Sequence, residues 1–136
     1  MAAVSLDALT VGVDAEPHEP LPHGVLPAIA LHRERAALAR LGSGIHWDRL
    51  LFCAKEAVYK AWFPLTRRWL DFDEAHITLA PTGTFTARFL VPGPQVQGRE
   101  LTGFAGRWLA SDGLLVTAIT LRLALATAEE QVHGTF

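Results

Sequence analysis

Lys55, Glu56 and Lys60 stand in a run, FCAKEAVYKAW (52 to 62), that is otherwise apolar and helix-favouring. On a helix advancing about 100° per residue, Phe52, Glu56 and Lys60 share one side and Lys55 and Tyr59 a neighbouring stripe, so the charges cluster. Taken alone they read as an i, i+4 Glu-to-Lys pair on a solvated face, worth only about 0.3–0.5 kcal/mol. A second acidic set supports another reading. Asp14 and Glu16 are two apart in a β-favouring stretch and so project from one face where that strand ends. With Glu56 they make three carboxylates, which repel one another unless a hard cation such as Mg²⁺ holds them beside phosphate oxygens and water. Lys55 and Lys60 would then face the phosphates, in a site for a metal-bound diphosphate. Spacing alone leaves both readings open.

The elements that must position these groups follow from pattern. ALTVGVDAE (8 to 16) has β-branched residues at 10, 11 and 13 and runs into PHEPLPHG, which predicts a short strand and a loop to about residue 27. AIALHRERAALARLGSG predicts one helix of two to three turns, stopped by Gly42 and Gly44. From His46 to Phe63 the period Leu50-Ala54-Ala57-Val58-Ala61 predicts a central helix, with Asp48 near its positive end and Pro64 closing it. HITLA (76 to 80), FTARFLV (85 to 91), LTGFAGRWLAS (101 to 111) and LLVTAITLRLAL (114 to 125) predict an antiparallel meander, joined by the turn segments PTGT, PGPQVQG and SDG. The fold class is α+β, helices packed on a small antiparallel sheet. One domain is expected over 1–128, with a frayed tail at 129–136 where the strand alternation is lost.

Composition narrows the function classes. A length of 136 residues with 50% hydrophobic content suits one compact domain with a real core. The net charge of -2 is spread along the chain with no basic run, which disfavours a nucleic-acid partner. No apolar stretch reaches membrane-spanning length and no basic leader precedes one, so a cytoplasmic protein without a membrane partner is expected. Cys53, the single cysteine, rules out an intramolecular disulfide and reads as packing in the absence of a neighbouring His. The six histidines show no zinc spacing. Trp62 and Trp69 read equally well as channel lining beside Phe52 and Tyr59 or as core, and Arg67 and Arg68 as solvated charges or a lip for an acidic partner.

VGVDAE (11 to 16) followed by FCAKEAVYKAW resembles the paired signatures of the Sfp-type 4'-phosphopantetheinyl transferases, V/I-G-I/V-D-x-E and W/F-S/C-x-K-E-A-x-x-K. The resemblance implies Mg²⁺-dependent transfer of the phosphopantetheine arm of coenzyme A, the co-substrate, to a serine of an acyl or peptidyl carrier protein, releasing adenosine 3',5'-bisphosphate. It implies Asp14, Glu16 and Glu56 as metal ligands, with Asp14 also on the cofactor side. Lys55 would contact coenzyme A phosphate, Glu56 would help deprotonate the serine, and Lys60 would stabilise or protonate the departing phosphate. A serine hydroxyl is a weak nucleophile at neutral pH, so a carboxylate or a metal-bound water must take its proton, and the identity of that base stays open. The match covers nearly the whole chain as the C-terminal half of a two-half enzyme. The other half, which in the family supplies basic residues and a histidine for the 3'-phosphate and adenine, has no counterpart before Asp14. Activity is then conditional on a missing N-terminal half or on oligomerisation, and a homo-oligomer through the missing-half interface is expected. A truncated, non-catalytic remnant that binds metal or coenzyme A is the alternative.

Overall fold

The computed structural model describes residues 8–122. In chain order these form β1 (Ala8–Pro17), α1 (Val25–Ile29), α2 (His32–Leu38), α3 (Trp47–Thr66), a 3₁₀ turn (Phe72–Glu74), β2 (Ala75–Ala80), β3 (Thr84–Phe89), β4 (Gln95–Val96), β5 (Arg99–Glu100), β6 (Gly103–Ser111) and β7 (Leu114–Arg122). Five strands make one sheet in the order β1-β7-β6-β3-β2. Every pairing in it is antiparallel. The expected meander is therefore present as β2-β3-β6-β7, and β1 closes it by pairing Asp14 opposite Thr117 and Gly12 opposite Ile119. This is the α+β arrangement that the periodicities imply. The predicted last strand is seen to Arg122; its final residues and the tail reading at 129–136 lie outside the described residues.

The core lies between α3 and one face of the sheet. Leu50, Leu51, Ala54, Ala57, Val58, Ala61 and Trp62 on α3 meet Phe85, Phe104, Leu115 and Ile119 from the strands, all buried. Small residues at 54, 57 and 61 let the helix axis approach β1 closely, and Gly12 makes that approach feasible. A Cβ built on Gly12 would stand 2.1 Å from the Ala57 carbonyl oxygen. Gly12→Ala is accordingly expected to destabilise the fold by about 2–3 kcal/mol, read as a lower urea midpoint; an unchanged midpoint would mean the interface is looser than described. The same seam carries side-chain bonds to helix carbonyls. Thr10 Oγ1 donates to Ala61 O at 2.8 Å and Thr117 Oγ1 to Cys53 O at 3.0 Å.

Three local expectations need correction. The single helix expected from Ala28 onward is two short ones, because Ala30 and Leu31 are extended and Glu34 reaches back to accept the Leu31 N–H at 2.7 Å, starting α2 afresh. Pro64 does not close α3 but sits in its last turn, where it removes only the bond its nitrogen would have given the Lys60 carbonyl. The helix ends instead at Arg67, left-handed at φ 55°, whose N–H bonds Phe63 O. Finally, PGPQVQG is a turn region that also holds a small hairpin, β4 to β5, with Gln97 and Gly98 at positive φ in its two-residue loop.

Candidate functional site

Strand alternation turns Thr10, Gly12 and Asp14 toward α3, and the helical period puts Glu56 and Lys60 on one side of α3, where Lys60 meets that strand at Asp14, still paired with Thr117 in the sheet. Lys60 Nζ donates to Asp14 Oδ1 at 2.8 Å and to Val13 O at 3.3 Å. The lysine is half-exposed whereas Asp14 is nearly buried. That bond is the main reason the Lys60 amine is held above its ordinary value.

The other oxygen of Asp14, Oδ2, is buried with no donor in reach. The Glu16 carboxyl is the neighbour of Asp14 on the same face of β1. Glu16 is pushed up, first by burial and then by Asp14, against the opposing pull of Arg49. Glu56 is pushed up in the same way, by burial and then by the charge of Asp14, with Lys60 opposing. Asp14 is thus the common neighbour of both glutamates, and sequence reasoning named all three. They are not closed into a cage: among the described residues no three His, Cys, Asp or Glu side chains are gathered tightly enough to hold a metal as they stand. An orphaned buried carboxylate oxygen beside two carboxyls that resist ionisation is nonetheless the donor chemistry that fits a hard divalent cation.

The raised Glu56 has a consequence for stability. A carboxyl whose folded pKa exceeds its unfolded value contributes stability below the unfolded pKa, and that contribution is lost as pH rises through the folded value. Ionised Glu56 is then a burden at pH 7. Glu56→Gln should raise the thermal midpoint by roughly 1–3 °C at pH 7 and leave it level with the parent near pH 4. Calorimetry at the two pH values checks this; a lower midpoint at pH 7 would refute it.

The Lys55 amine is turned into the core. The residue is 4% exposed, and its amine pairs with Glu34 Oε1 at 2.9 Å while donating to Phe72 O and to Ala75 O at 2.8 Å. Burial lowers the Lys55 pKa, and Glu34 opposes that. The structure therefore brings together Asp14, Glu16, Glu56 and Lys60, and commits the Lys55 amine to Glu34 and two backbone carbonyls instead. Two partners escaped sequence reasoning. Glu34 is one. The other is Arg49, which spans from Glu16 Oε1 at 3.3 Å to Glu19 O and Pro20 O at 3.1 and 3.0 Å, fixing the chain just after β1. Position 49 falls one turn before Cys53 on the helix, but nothing in the sequence marks it as facing the strand end.

A largely apolar cleft opens beside Glu56, lined also by Lys55, Val58, Tyr59, Trp69, Phe72 and Ala75. Tyr59 and Trp69 meet with their rings tilted at 56° and centroids 5.0 Å apart, and Trp69 is 66% exposed. Trp62 does not line it: it is fully buried, donates Nε1 to Arg68 O and packs edge-on against Phe89, so its core reading holds. Phe52 does not line the cleft but packs against Phe72, which does. Cys53 is buried at the strand–helix seam with Sγ 3.3 Å from Thr117 Oγ1, and desolvation pushes its thiol up to about 12, which removes it as a nucleophile.

A sequence profile of the 4'-phosphopantetheinyl transferase superfamily matches residues 10–111. The chain is 56% identical over 136 residues to the 4'-phosphopantetheinyl transferase Svp of Streptomyces mobaraensis, covering 97% of this chain and 55% of that protein. It is 54% identical over 118 residues to the 4'-phosphopantetheinyl transferase PptT of Mycobacterium tuberculosis, covering 82% of this chain and 52% of the relative. To the 4'-phosphopantetheinyl transferase Npt of Nocardia iowensis it is 52% identical over 119 residues, 81% of this chain and 54% of the relative. The chain spans about half the length of each of these relatives. No helix among the described residues is long and apolar enough to cross a membrane.

Proposed function

The chain belongs to the 4'-phosphopantetheinyl transferase superfamily, and from that premise we propose that it is the C-terminal half of an Sfp-type enzyme that transfers 4'-phosphopantetheine from coenzyme A to a carrier-protein serine. What carries the reading is the orphaned Oδ2 of Asp14, with two carboxyl neighbours and the Lys60 amine, one of those neighbours, Glu56, also lining the apolar cleft. Asp14, Glu16 and Glu56 would hold Mg²⁺. When bound, the ion neutralises charge on the diphosphate oxygens. Lys60, half-exposed and oriented by Asp14, donates to the phosphate that departs. Glu56 takes the serine proton, being the carboxyl of the three that lines the cleft. The serine oxygen then bonds to the phosphorus that carries the arm, the diphosphate P–O bond breaks, and adenosine 3',5'-bisphosphate leaves with that electron pair. The cleft of Tyr59, Trp69 and Phe72 takes the arm itself.

The direct test is intact-mass analysis of an apo carrier protein after incubation with this chain, Mg²⁺ and coenzyme A. Addition of one phosphopantetheine supports the proposal. A rival reading is a non-catalytic module, and coenzyme A binding without transfer in the full-length protein would select it.

Self-association is the remaining part of the proposal. Alternation places Val11, Val13, Val116 and Ala118 on the sheet face turned away from α3, with Leu109 and Leu114 54% and 44% exposed. A face this apolar in a chain half the relatives' length is expected to be covered by further polypeptide or by a second copy. Light scattering should report a mass above the monomer for the isolated chain, and a clean monomer would count against it. Residence in the cytoplasm and docking of an acidic carrier at Arg67 and Arg68 belong to the same proposal; a chimeric carrier with its acidic residues neutralised should then bind more weakly.

A further inference from the structure

We infer that Lys55, with Glu34, is a positioning residue that fixes the wall of the apolar cleft beside Glu56, and not a ligand to phosphate. An ammonium group has three N–H donors. Those of Lys55 have three oxygens to meet: Glu34 Oε1, Phe72 O and Ala75 O. A phosphate could be bound only by giving one of them up inside a buried site. Glu34 is equally committed, since Oε1 also accepts the Leu31 N–H and Oε2 accepts the Ile77 N–H at 2.6 Å, and only 1% of the residue is exposed. One ion pair thus ties α2, α3, the 3₁₀ turn and β2 together.

The place where it does so matters. Leu70, Asp71, Phe72 and Ala75 are cleft wall, and Phe72 and Ala75 are the residues whose carbonyls Lys55 holds. A three-residue 3₁₀ turn has little stability of its own, and its carbonyls need partners from outside the helix. Trp69 is anchored to the same wall, its Nε1 donating to Asp71 Oδ1 at 2.7 Å. Losing the Lys55 amine releases the turn and with it the surface that faces Tyr59.

This inference rests on the proposed binding of the pantetheine arm in that cleft, and its test separates the two. Lys55→Met keeps the apolar stem and removes the amine; the double variant Glu34→Gln/Lys55→Met removes both charges and keeps an acceptor for one of the two backbone N–H groups. NMR titration of each with pantetheine and with 4'-phosphopantetheine, alongside the Trp69 indole N–H signal, gives the readout. The expected result is a displaced or broadened Trp69 signal and an affinity for both compounds that falls by about tenfold, with the preference for the phosphorylated one kept within about twofold. Unchanged affinity for pantetheine with loss of the phosphate preference would overturn it in favour of a phosphate contact. If the parent chain binds neither compound, the arm-binding proposal fails for this chain. The Trp69 signal then decides alone: movement upholds wall-fixing by Lys55, and no movement overturns it.

Discussion

Asp14→Asn is expected to leave the chain folded while lowering phosphopantetheine transfer by about 1,000-fold, measured in whichever assembly carries the activity. The two halves of that result have separate causes. For the fold, the asparagine carbonyl can still accept from Lys60, and its amide supplies a donor where the buried Oδ2 now has no partner. What is lost is the charge that holds the Lys60 amine up. A raised lysine contributes stability below its unfolded pKa and loses it as pH rises through the folded value, so the contribution is fully present at pH 7. Lys60 is half-exposed and solvent screens the pair, so its loss is small and is offset by relief of carboxylate repulsion. For the chemistry, nothing replaces the charge shared between Glu16 and Glu56, and a cation has one anionic ligand fewer. A Mg²⁺-induced rise in thermal midpoint seen in the parent should vanish in the variant. Transfer within tenfold of the parent would remove Asp14 from the site.

The residues that could be read from the sequence are those whose chemistry and period agree. Strand β1 and helix α3 announce themselves by β-branched residues and by a sustained apolar period, so Asp14, Glu16, Glu56 and Lys60 could be placed on facing elements before any geometry was in hand. Lys55 could not be placed that way, because its charge suggested a surface role. The signal was nonetheless present: Leu51, Lys55, Val58 and Trp62 follow at spacings of four, three and four, and all four are buried. A lysine on the apolar stripe itself has to find a counter-charge in the core, which in this fold is Glu34. The partner could not be named, since α2 comes twenty residues earlier and its contact with β2 depends on the break at Ala30 and Leu31, a backbone choice that local propensity did not foretell. The placing of Pro64 failed for a similar reason. Removing one bond in a final turn is a minor loss when Trp62 on the preceding turn is fully packed.

Glu34→Ala is expected to destabilise the fold by about 3–5 kcal/mol, more than any other single change at this site. It strands a buried ammonium without its counter-charge and removes the acceptor of two backbone N–H groups, at Leu31 and Ile77. The pH dependence identifies the cause. Burial already lowers the Lys55 pKa, with Glu34 the foremost influence opposing it. A lysine whose folded pKa lies below its unfolded value binds fewer protons folded than unfolded between the two, so stability rises with pH across that window. Removing Glu34 deepens the lowering and widens the window. The deficit of Glu34→Ala should therefore shrink between pH 7 and about pH 9.5, when urea unfolding of parent and variant is compared at both. The double variant Glu34→Gln/Lys55→Met carries no buried charge and keeps one acceptor, so it should recover most of the loss, to within about 1–2 kcal/mol of the parent. If the double variant is as unstable as Glu34→Ala, the loss comes from packing and backbone bonds alone, and the ion pair is not what holds α2 and the cleft wall to the central helix.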